Sequence, residues 1–258
     1  MKICALSDPH GCLLNHELFV FADVVIICGD IVPLEYQRMD IVSDDWFRYD
    51  FCNWVNSLNC KKVIFTPGNH DFYLYKHTKD SLKQMFETLT NGKAVYLEDE
   101  LYEYEGVTFY GCPWTTGPEG WAFAPNHKKG ISMLSVEDKY LAIPKCDILI
   151  THNAPHIGNV GTSNFDKPNA KVWGSDFLAC VVKDVNPDLH FFGHIHSGDH
   201  CQTEYPTYGC DTKFYNVSIL DERYDYKYVP LMLEYDKNTK TIIDYGQKQI
   251  FDMLKKYV

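Results

Sequence analysis

Residues of the kinds that bind metal ions recur in this sequence directly after short apolar runs. Five such groups occur along the chain: Asp8-Pro9-His10-Gly11, Gly29-Asp30, Gly68-Asn69-His70-Asp71, Thr151-His152-Asn153 and Gly193-His194-Ile195-His196. In extended backbone, residues two positions apart point the same way, so Asp8 and His10 can face one ion. His194 and His196 have the same spacing. This recurrence predicts one shared site rather than five unrelated turns.

The donor types in these groups indicate which metals the site would prefer. Carboxylates, imidazoles and an amide oxygen together suit borderline cations such as manganese, iron or zinc. A carboxylate has two oxygens, so Asp30 could bridge two ions. Turn formation at strand ends would explain one or two of these residues but not seven after five predicted strands. The predicted metal ligands are Asp8, His10, Asp30, Asn69, His152, His194 and His196.

The elements that must position these residues are predicted to be strands alternating with helices. Continuous apolar runs predict strands at Lys2–Leu6, Asp23–Cys28, Lys61–Thr66, Val107–Tyr110, Asp147–Thr151, Asp188–Phe192 and Lys213–Val217. Helices are predicted at Val42–Leu58, Asp80–Leu89, Ser175–Lys183 and Gln247–Tyr257, and further short strands within Ala94–Tyr110, near Tyr228–Tyr235 and at Thr241–Asp244. This alternation favours an α/β fold. Without an evident linker or repeat, we expect a single domain over residues 1–258.

Composition excludes several classes of protein. The 258 residues are 45% hydrophobic and 23% charged, as in globular chains and unlike disordered or fibrous ones. Lys and Arg number 24 against 35 Asp and Glu, a net charge of −11, which argues against a protein that mainly binds long nucleic acid. A phosphate-handling enzyme remains compatible with this charge, because bound metal ions supply positive charge locally.

The sequence also carries expectations about the compartment. The first apolar run is short and soon meets Asp8, so no signal peptide is predicted. No stretch approaches 18 uninterrupted apolar residues, so no membrane span is predicted. The ten cysteines form no CxxC pair, and we interpret them as reduced thiols of a cytoplasmic protein. The sequence does not determine the oligomeric state.

Taken together, the five groups resemble the calcineurin-like metallophosphoesterase superfamily. Its pattern is D-x-H, then GD, then GNH followed by Asp or Glu, then a single His, then GHxH. The resemblance runs from Asp8 to His196 and includes every ligand position. It implies a four-layer α/β/β/α sandwich of two mixed β-sheets flanked by helices. It also implies two divalent or trivalent metal ions per chain, for which manganese, iron and zinc are the expected candidates.

The resemblance further implies a role for each matched position. Asp8, His10, Asp30 and His196 would hold one ion, and Asp30, Asn69, His152 and His194 would hold the other. His70 would be the catalytic acid that protonates the leaving oxygen. The implied reaction is hydrolysis of a phosphoester by a hydroxide that the two metals activate. In agreement, the sequence contains no G-x-S-x-G nucleophile motif and no P-loop.

A narrower resemblance covers most of the chain. The segments YGCPWT (110–115), ILITHNAP (148–155), FFGHIHSG (191–198) and FYNVS (214–218) are similar to a small single-domain subgroup typified by brain-expressed metallophosphoesterase-domain proteins. Members of that subgroup are regarded as phosphodiesterases, some with affinity for nucleotides. The chain departs from the subgroup at Asn153 and Ala154, where Gly and Pro are usual, and this departure bears on substrate preference. We expect a phosphodiesterase acting on a small or nucleotide-like phosphoester.

Two other functions fit the same ligands. One is a nuclease of the DNA-repair branch, which usually carries further domains or helices after the core. The other is a scaffold that kept the fold and lost catalysis, although the presence of His70 weighs against it. Protein phosphatase activity is disfavoured, because Pro33 and Leu34 stand where that branch has an Asp-Arg pair. Either Asp71 or Glu35 could orient His70.

Candidate substrate contacts lie outside the ligand set. Arg38 could reach a phosphate, and His156 could lie at the rim of the site. Trp114, or Trp121 in the same Gly- and Pro-rich segment, could stack on a nucleobase, although anchoring in the core explains these tryptophans equally well. The remaining histidines are interpreted as surface, packing or loop residues: His16, His77, His127, His190 and His200.

Overall fold

The apolar runs of the sequence form the strands of two six-stranded sheets. The computed structural model describes residues 1–19, 22–126, 129–200, 203–204 and 209–245. Within them the strands are β1 (Lys2–Leu6), β2 (Val24–Cys28), β3 (Lys62–Thr66), β4 (Ala94–Tyr96), β5 (Glu100–Tyr104), β6 (Val107–Cys112), β7 (Ile148–Thr151), β8 (Thr162–Ser163), β9 (Lys171–Val172), β10 (Leu189–Phe192), β11 (Thr203–Glu204), β12 (Lys213–Asn216), β13 (Leu231–Asp236) and β14 (Thr241–Asp244).

The helices lie between these strands. They are α1 (Asp40–Asp45), α2 (Cys52–Ser57), α3 (Phe72–Lys76), α4 (Lys79–Thr90), α5 (Met133–Leu141) and α6 (Asp176–Val185). A π-helical stretch, Trp46–Phe51, joins α1 to α2 without a break. Side-chain caps begin the longer helices: the Thr78 hydroxyl accepts a hydrogen bond from Ser81 N–H at α4, and the Ser175 hydroxyl accepts one from Leu178 N–H at α6.

Both sheets are mixed. The first has the order β14-β13-β1-β2-β3-β4, with β1 to β4 parallel and β13 and β14 each antiparallel to its neighbour. The second has the order β11-β12-β10-β7-β6-β5, with antiparallel outer strands around four parallel ones. Strands β8 and β9 form a separate hairpin. Parallel strands bring their carboxyl ends to the same edge of each sheet, which is where the predicted ligands follow in sequence.

Alternation along the strands produces four layers. On β1, Ile3 and Ala5 belong to an apolar cluster that includes Phe109 and Ile148 of the second sheet, so they lie between the sheets. The intervening Cys4 and Leu6 belong to a second cluster, which contains the buried residues of the helices. Since both faces of these strands are removed from water, continuous apolar sequence is what they require. The structure thus confirms the α/β class and the predicted mixed sheets flanked by helices.

Most predicted elements match the structure to within a few residues, but helices α3 and α5 and the two-residue strands β8, β9 and β11 were not predicted. Helix α5 exposes apolar side chains, including Leu134 at 71% and Leu141 at 63%, so its sequence lacks a clear amphipathic period. Its start is marked instead by reciprocal hydrogen bonds between Ser132 and Ser135. The predicted helix Gln247–Tyr257 lies outside the described residues.

Candidate metal centre

Loops after five strands of the two sheets bring the predicted ligands together. Three overlapping groups have ligand atoms within 4.8 Å of one another: Asp8, His10 and His196; His10, Asp30 and His70; and Asp8, Asp30 and His152. Asn69 joins them through its Oδ1 atom, which lies 2.9 Å from His152 Nε2. The His194 ring lies 5.0 Å from the His152 ring, measured between centroids. All seven predicted ligands therefore lie at one place in the fold.

Asp8 is the fully buried carboxylate on which groups from both sheets converge. Its oxygens accept hydrogen bonds from the backbone N–H of His194, at 3.0 and 3.2 Å, and from the Ser218 hydroxyl, at 2.6 Å. His196 Nε2 lies 3.4 Å from Asp8 Oδ1. These contacts fix the carboxylate across the seam between the sheets. The sequence analysis did not identify Ser218 as part of the site.

Asp30 is the second buried carboxylate, and three histidines surround it. Its Oδ2 atom lies 3.3 Å from His152 Nε2 and 3.8 Å from Nε2 of both His10 and His70. Its Oδ1 atom accepts a hydrogen bond of 2.7 Å from the backbone N–H of His70. Because one oxygen faces several imidazoles while the other is held by backbone, the geometry suits the bridging role that the family resemblance implies.

Hydrogen bonds to backbone carbonyls set the orientation of two histidine rings. His152 Nδ1–H donates to the carbonyl of Cys28 at 2.7 Å, and His196 Nδ1–H donates to the carbonyl of Asp221 at 2.9 Å. A carbonyl can only accept, so Nδ1 carries the hydrogen in both rings. Each Nε2 atom then faces the carboxylates. Such outer contacts are typical of metal-binding histidines.

His10 supplies a test of whether the residues fit a metal. Both of its ring nitrogens are buried, and neither has a hydrogen-bond partner among the described residues. Its ring lies 4.8 Å from the His70 ring and 5.6 Å from the His196 ring. Buried polar atoms without partners are costly unless a ligand satisfies them. A cation bound between the carboxylates would do so, and the donor set therefore fits the implied metals.

The backbone is strained at this site. Four of the predicted ligands have left-handed φ angles: Asp8 at 54°, His10 at 43°, Asp30 at 53° and His194 at 70°. Such conformations are uncommon for residues other than glycine, and they cluster where function requires a particular side-chain direction. The strain thus coincides with the residues that the sequence assigned to metal.

Neighbouring glycines make room for the carboxylates. A Cβ atom on Gly68 would overlap the Asp30 side chain, and one on Gly193 would overlap the side chains of Ser7 and Asp8. Only a residue without a side chain allows the backbone to approach so closely. The glycines that precede the ligands in sequence are therefore part of the site's geometry.

Asp71 holds the surrounding loops in place and does not orient the His70 ring. Its carboxylate accepts hydrogen bonds from the backbone N–H groups of Ile31, Val32 and Gly68, at 2.8 to 3.0 Å. Burial, with a contribution from the charge of Asp30, raises the pKa of Asp71 to about 7. The alternative orienting residue, Glu35, is exposed. The suggestion that Asp71 orients the His70 ring is therefore replaced: Asp71 ties together the loops that carry Asp30 and Asn69.

The electrostatics of the site link proton loss to metal binding. Burial alone would raise the pKa of both Asp8 and Asp30, but the adjacent histidines outweigh it and lower both. Burial would lower the pKa of His152 and His196, but the carboxylates raise each to about 9. Without metal, the two histidines are thus protonated partners of the carboxylates. Because a histidine must lose its second proton to bind a metal ion, binding of a cation at this site would release those protons.

A cleft of about 730 Å³ opens beside the ligands. Its lining includes Asn69, Thr115, Thr116, Gly117, Pro118, Trp121, Ser163, Asn164, Asn169, Lys171, Trp173, His194, Ile195 and Glu222. The Trp121 ring lies 4.6 Å from the His70 ring, and the Arg38 guanidinium lies 5.3 Å from the Trp121 ring. Trp121 therefore stands on the His70 side of the cleft, and Arg38 lies next to Trp121 without being part of the lining.

Two candidate substrate contacts are placed elsewhere. Trp114 is only 7% exposed, and its indole N–H donates a hydrogen bond of 2.9 Å to Asp99. Its ring anchors the loop in the core, and the expectation that Trp114 contacts the substrate is therefore corrected. Trp121 lines the cleft instead. His156 Nδ1–H donates a hydrogen bond of 2.7 Å to the Asp176 carboxylate at the start of α6, and His156 is not part of the cleft lining.

The other histidines that the structure describes are surface, packing or loop residues, as the sequence analysis expects. His190 is fully buried in β10, where its Nε2 atom lies 2.9 Å from the Thr151 hydroxyl. His16 is exposed, and the His200 ring stacks on Tyr228. His127 lies outside the described residues.

Among the helices of the described ranges, none has the length and apolar character to cross a membrane.

Comparison with known proteins agrees with the site. The family model described as calcineurin-like phosphoesterase matches residues 1–198. The chain is 28% identical over 250 residues to the UPF0046 protein C25E10.12 of Caenorhabditis elegans, covering 91% of this chain and 80% of that protein. It is 29% identical over 222 residues to the human metallophosphoesterase domain-containing protein 1, covering 76% and 61% of the two.

A third relative and two solved structures extend this comparison. The UPF0046 protein T07D4.2 of Caenorhabditis elegans is 35% identical over 142 residues, which are 55% of this chain and 32% of that protein. The chain thus spans only part of the length of the curated relatives it matches. The protein TT1561 of Thermus thermophilus superposes with a TM-score of 0.54 at 16% identity over 95% of this chain and 98% of that one. The phosphopantetheinyl hydrolase of Mycobacterium tuberculosis superposes with a TM-score of 0.51 at 16% identity over 86% and 90%. At such identities these structures support the fold alone.

Proposed function

This chain belongs to the calcineurin-like phosphoesterase family, and we propose that it is a phosphodiesterase that acts on a small or nucleotide-like phosphoester with the help of two metal ions. The family and the Asp/His cluster support a metal-dependent phosphoesterase. One observation carries the proposal furthest: two buried carboxylates, Asp8 and Asp30, share a space of a few ångströms with four histidines. Burying such a set without cations leaves polar atoms unsatisfied, among them both ring nitrogens of His10, and this is costly.

The seven predicted ligands would form two adjacent ion positions that share Asp30. Asp8, His10 and His196 would hold one ion with an oxygen of Asp30, and Asp30, Asn69, His152 and His194 would hold the other. Bound cations at such a site would supply Lewis-acid activation of water and charge neutralisation of the phosphoryl oxygens. Manganese, iron and zinc all suit these nitrogen and oxygen donors, so availability would decide between them.

His70 is the proposed proton donor to the leaving oxygen. Its backbone N–H is held by Asp30, and its ring lies between the His10 ring and the Trp121 ring. The side chain thus lies next to the ligands and at the cleft at once. Its buried Nδ1 atom has no hydrogen-bond partner among the described residues. A general acid so placed would contribute on the order of 10²–10⁴ in rate.

The charge of the cleft supports a diester rather than a monoester. Its lining contains one basic residue, Lys171, and one acidic residue, Glu222, so it adds little net positive charge around the metals. A phosphodiester carries one negative charge near neutral pH, whereas a monoester approaches two. The larger charge would call for more cationic side chains, as arginine supplies in phosphate recognition.

The experiment that tests this function measures metal content together with hydrolysis of two esters. We expect close to two metals per chain after reconstitution with Mn²⁺, and faster cleavage of bis(p-nitrophenyl) phosphate than of p-nitrophenyl phosphate. His70→Ala should retain the metals and lose at least 10²-fold in turnover. His77→Ala is the matched control, since His77 is partly exposed and contacts Asp40 and Tyr73 outside the site.

The possible results separate the proposal from its rivals. Faster monoester cleavage would contradict the diester preference and indicate a phosphatase. Bound metal without turnover of either ester would favour a scaffold. Failure to bind metal under any condition would contradict the metal centre itself.

A further inference from the structure

Tyr224 lies against two of the proposed metal ligands, although nothing in its sequence context marks it as a site residue. Its ring meets the His10 ring edge-on, with centroids 5.0 Å apart, and the His196 ring edge-on at 5.4 Å. The His70 ring also lies 4.8 Å from the His10 ring. Tyr224 and His70 therefore contact the same histidine. Tyr224 is still 44% exposed, so its outer part is accessible to a ligand.

The backbone of Tyr224 is held in an unfavourable conformation. Its φ angle is +63°, in the left-handed region that bulky side chains rarely adopt. Hydrogen bonds maintain this conformation: the Asp221 carboxylate accepts from the N–H groups of Arg223 and Asp225, and the Asp221 carbonyl accepts from Tyr224 N–H. A strained aromatic residue held in this way over a catalytic centre is a reason to seek a function for it.

The loop that carries Tyr224 is also connected to the metal centre. The carbonyl of Asp221, which begins the loop, accepts the Nδ1–H of His196. Glu222 accepts hydrogen bonds from the backbone N–H and hydroxyl of Ser197, and it lines the cleft. The same few residues thus orient a ligand, form part of the cleft wall and present the Tyr224 ring.

The phenol hydroxyl of Tyr224 is available for an external partner. Within the described ranges, no hydrogen bond to this hydroxyl is found. A phenol hydroxyl donates a hydrogen bond without carrying a charge. A neutral donor beside the ion positions would strengthen the binding of a phosphoryl oxygen. It would add no positive charge, which a dianionic monoester would require more than a monoanionic diester does.

We propose that Tyr224 is a substrate-binding residue. Its phenol donates a hydrogen bond to a non-bridging oxygen of a monoanionic phosphodiester that is bound at the ion position of His10 and His196. This inference rests on the proposed function, because it assumes that a phosphoryl group occupies the metal centre. It adds a residue that the family pattern does not contain. It also gives the strained loop a reason: the loop presents the Tyr224 ring to His10 and His196.

The test removes only the hydroxyl. Tyr224→Phe keeps the ring that packs on His10, so metal content and the melting temperature should equal those of wild type. KM for bis(p-nitrophenyl) phosphate should rise about tenfold while kcat changes less, the size expected for losing a hydrogen bond to a charged acceptor. Tyr226→Phe is the matched control: Tyr226 is 47% exposed, and it makes no ring contact with the ligands within the described chain.

A binding measurement keeps this proposal separate from the proposed function. Calorimetric titration of the Mn²⁺-loaded protein with inorganic phosphate should show binding at least fivefold weaker in Tyr224→Phe than in wild type, even if neither ester is hydrolysed. Equal phosphate affinity and equal KM in the two proteins would overturn the proposal, as would a wild type that binds no phosphate. Loss of metal in Tyr224→Phe would overturn it too, because it would show that the residue acts only by supporting a ligand.

Discussion

His152 Nδ1 and the carbonyl oxygen of Cys28 lie 2.7 Å apart, although 124 residues separate them in sequence. Cys28 is the last residue of β2 in the first sheet, and His152 follows β7 of the second. Their hydrogen bond joins the two sheets and fixes the tautomer of a predicted metal ligand at the same time. The candidate metal centre and the packing of the two sheets therefore depend on the same contact.

Metal loading should stabilise the fold through the two buried carboxylates. The negative charges of Asp8 and Asp30 repel each other, and a shared cation would remove that repulsion. We expect saturating Mn²⁺ to raise the melting temperature by about 5–10 °C and EDTA to reverse it. Asp30→Asn should abolish most of this rise in differential scanning calorimetry. Asp50→Asn, an exposed carboxylate on the π-helical stretch, should leave it unchanged.

Asp71 should contribute to stability rather than to chemistry. Its carboxylate accepts three backbone N–H groups, whereas an amide offers one oxygen and turns its NH₂ toward those donors. Asp71→Asn should therefore lower the free energy of unfolding by roughly 2–4 kcal/mol. Urea denaturation measures this change. A loss smaller than that of Asp50→Asn would show that the loops do not depend on Asp71.

Gly193 should not tolerate a methyl group. An added Cβ would occupy the positions of the Ser7 hydroxyl and an Asp8 carboxylate oxygen, so Gly193→Ala must displace a ligand. We expect a metal content below one per chain by atomic absorption. Gly117→Ala is the control, because its Cβ would meet nothing nearer than Thr115 Oγ1, at 3.5 Å. Normal metal content in Gly193→Ala would mean that the approach of the two loops is looser than the geometry implies.

His190 should make stability depend on pH below neutrality. Burial lowers its pKa to about 3, so the folded chain keeps this ring neutral while the unfolded chain protonates it below about pH 6.5. Protons then favour the unfolded state, and stability falls as pH drops from 6.5 toward 3. His190→Leu should remove up to about 1.4 kcal/mol of this loss per pH unit. Urea unfolding at pH 5.0 to 7.5 measures the slope, and exposed His16→Gln should not alter it.

Trp121 and Trp114 should respond differently to truncation. Trp121 lines the cleft beside His70, so Trp121→Ala should raise KM for bis(p-nitrophenyl) phosphate about tenfold with little change in melting temperature. Trp114 is buried, and Trp114→Ala should cost roughly 3–5 kcal/mol of stability. Steady-state kinetics and urea denaturation of both variants distinguish the roles. The reverse pattern would restore Trp114 as the substrate contact.

The clustering of the predicted ligands could be foreseen because each follows a strand whose apolar run is unmistakable. Asp8, Asp30 and His152 stand directly beyond such runs, and parallel strands bring their ends together. Most helices and strands were predictable for the same reason. The π-helical stretch Trp46–Phe51 was not, since it continues the same aromatic pattern as a regular helix.

Residues that act through tertiary contacts were less accessible to sequence reasoning. Ser218 and Asp71 hydrogen-bond groups distant in sequence, and serine and aspartate occur in every turn. Trp114 and Trp121 could not be separated, because which indole faces the cleft depends on the path of a loop without a period. Tyr224 gave no signal, since a left-handed φ at tyrosine has no signature in the sequence.

The seam between the sheets also sets the order in which the centre can be assembled. Asp8 and its partner His194 are 186 residues apart, so translation at 5–20 residues per second separates them by about 10 to 40 s. During that interval a growing chain carries Asp8, His10 and Asp30 without the histidines that complete the set. Ser218 and Asp221, which hold Asp8 and His196, arrive later still. The predicted set of ligands is therefore complete only after residue 196 has been synthesised, and the contacts that hold Asp8 and His196 form only after residue 221 has followed.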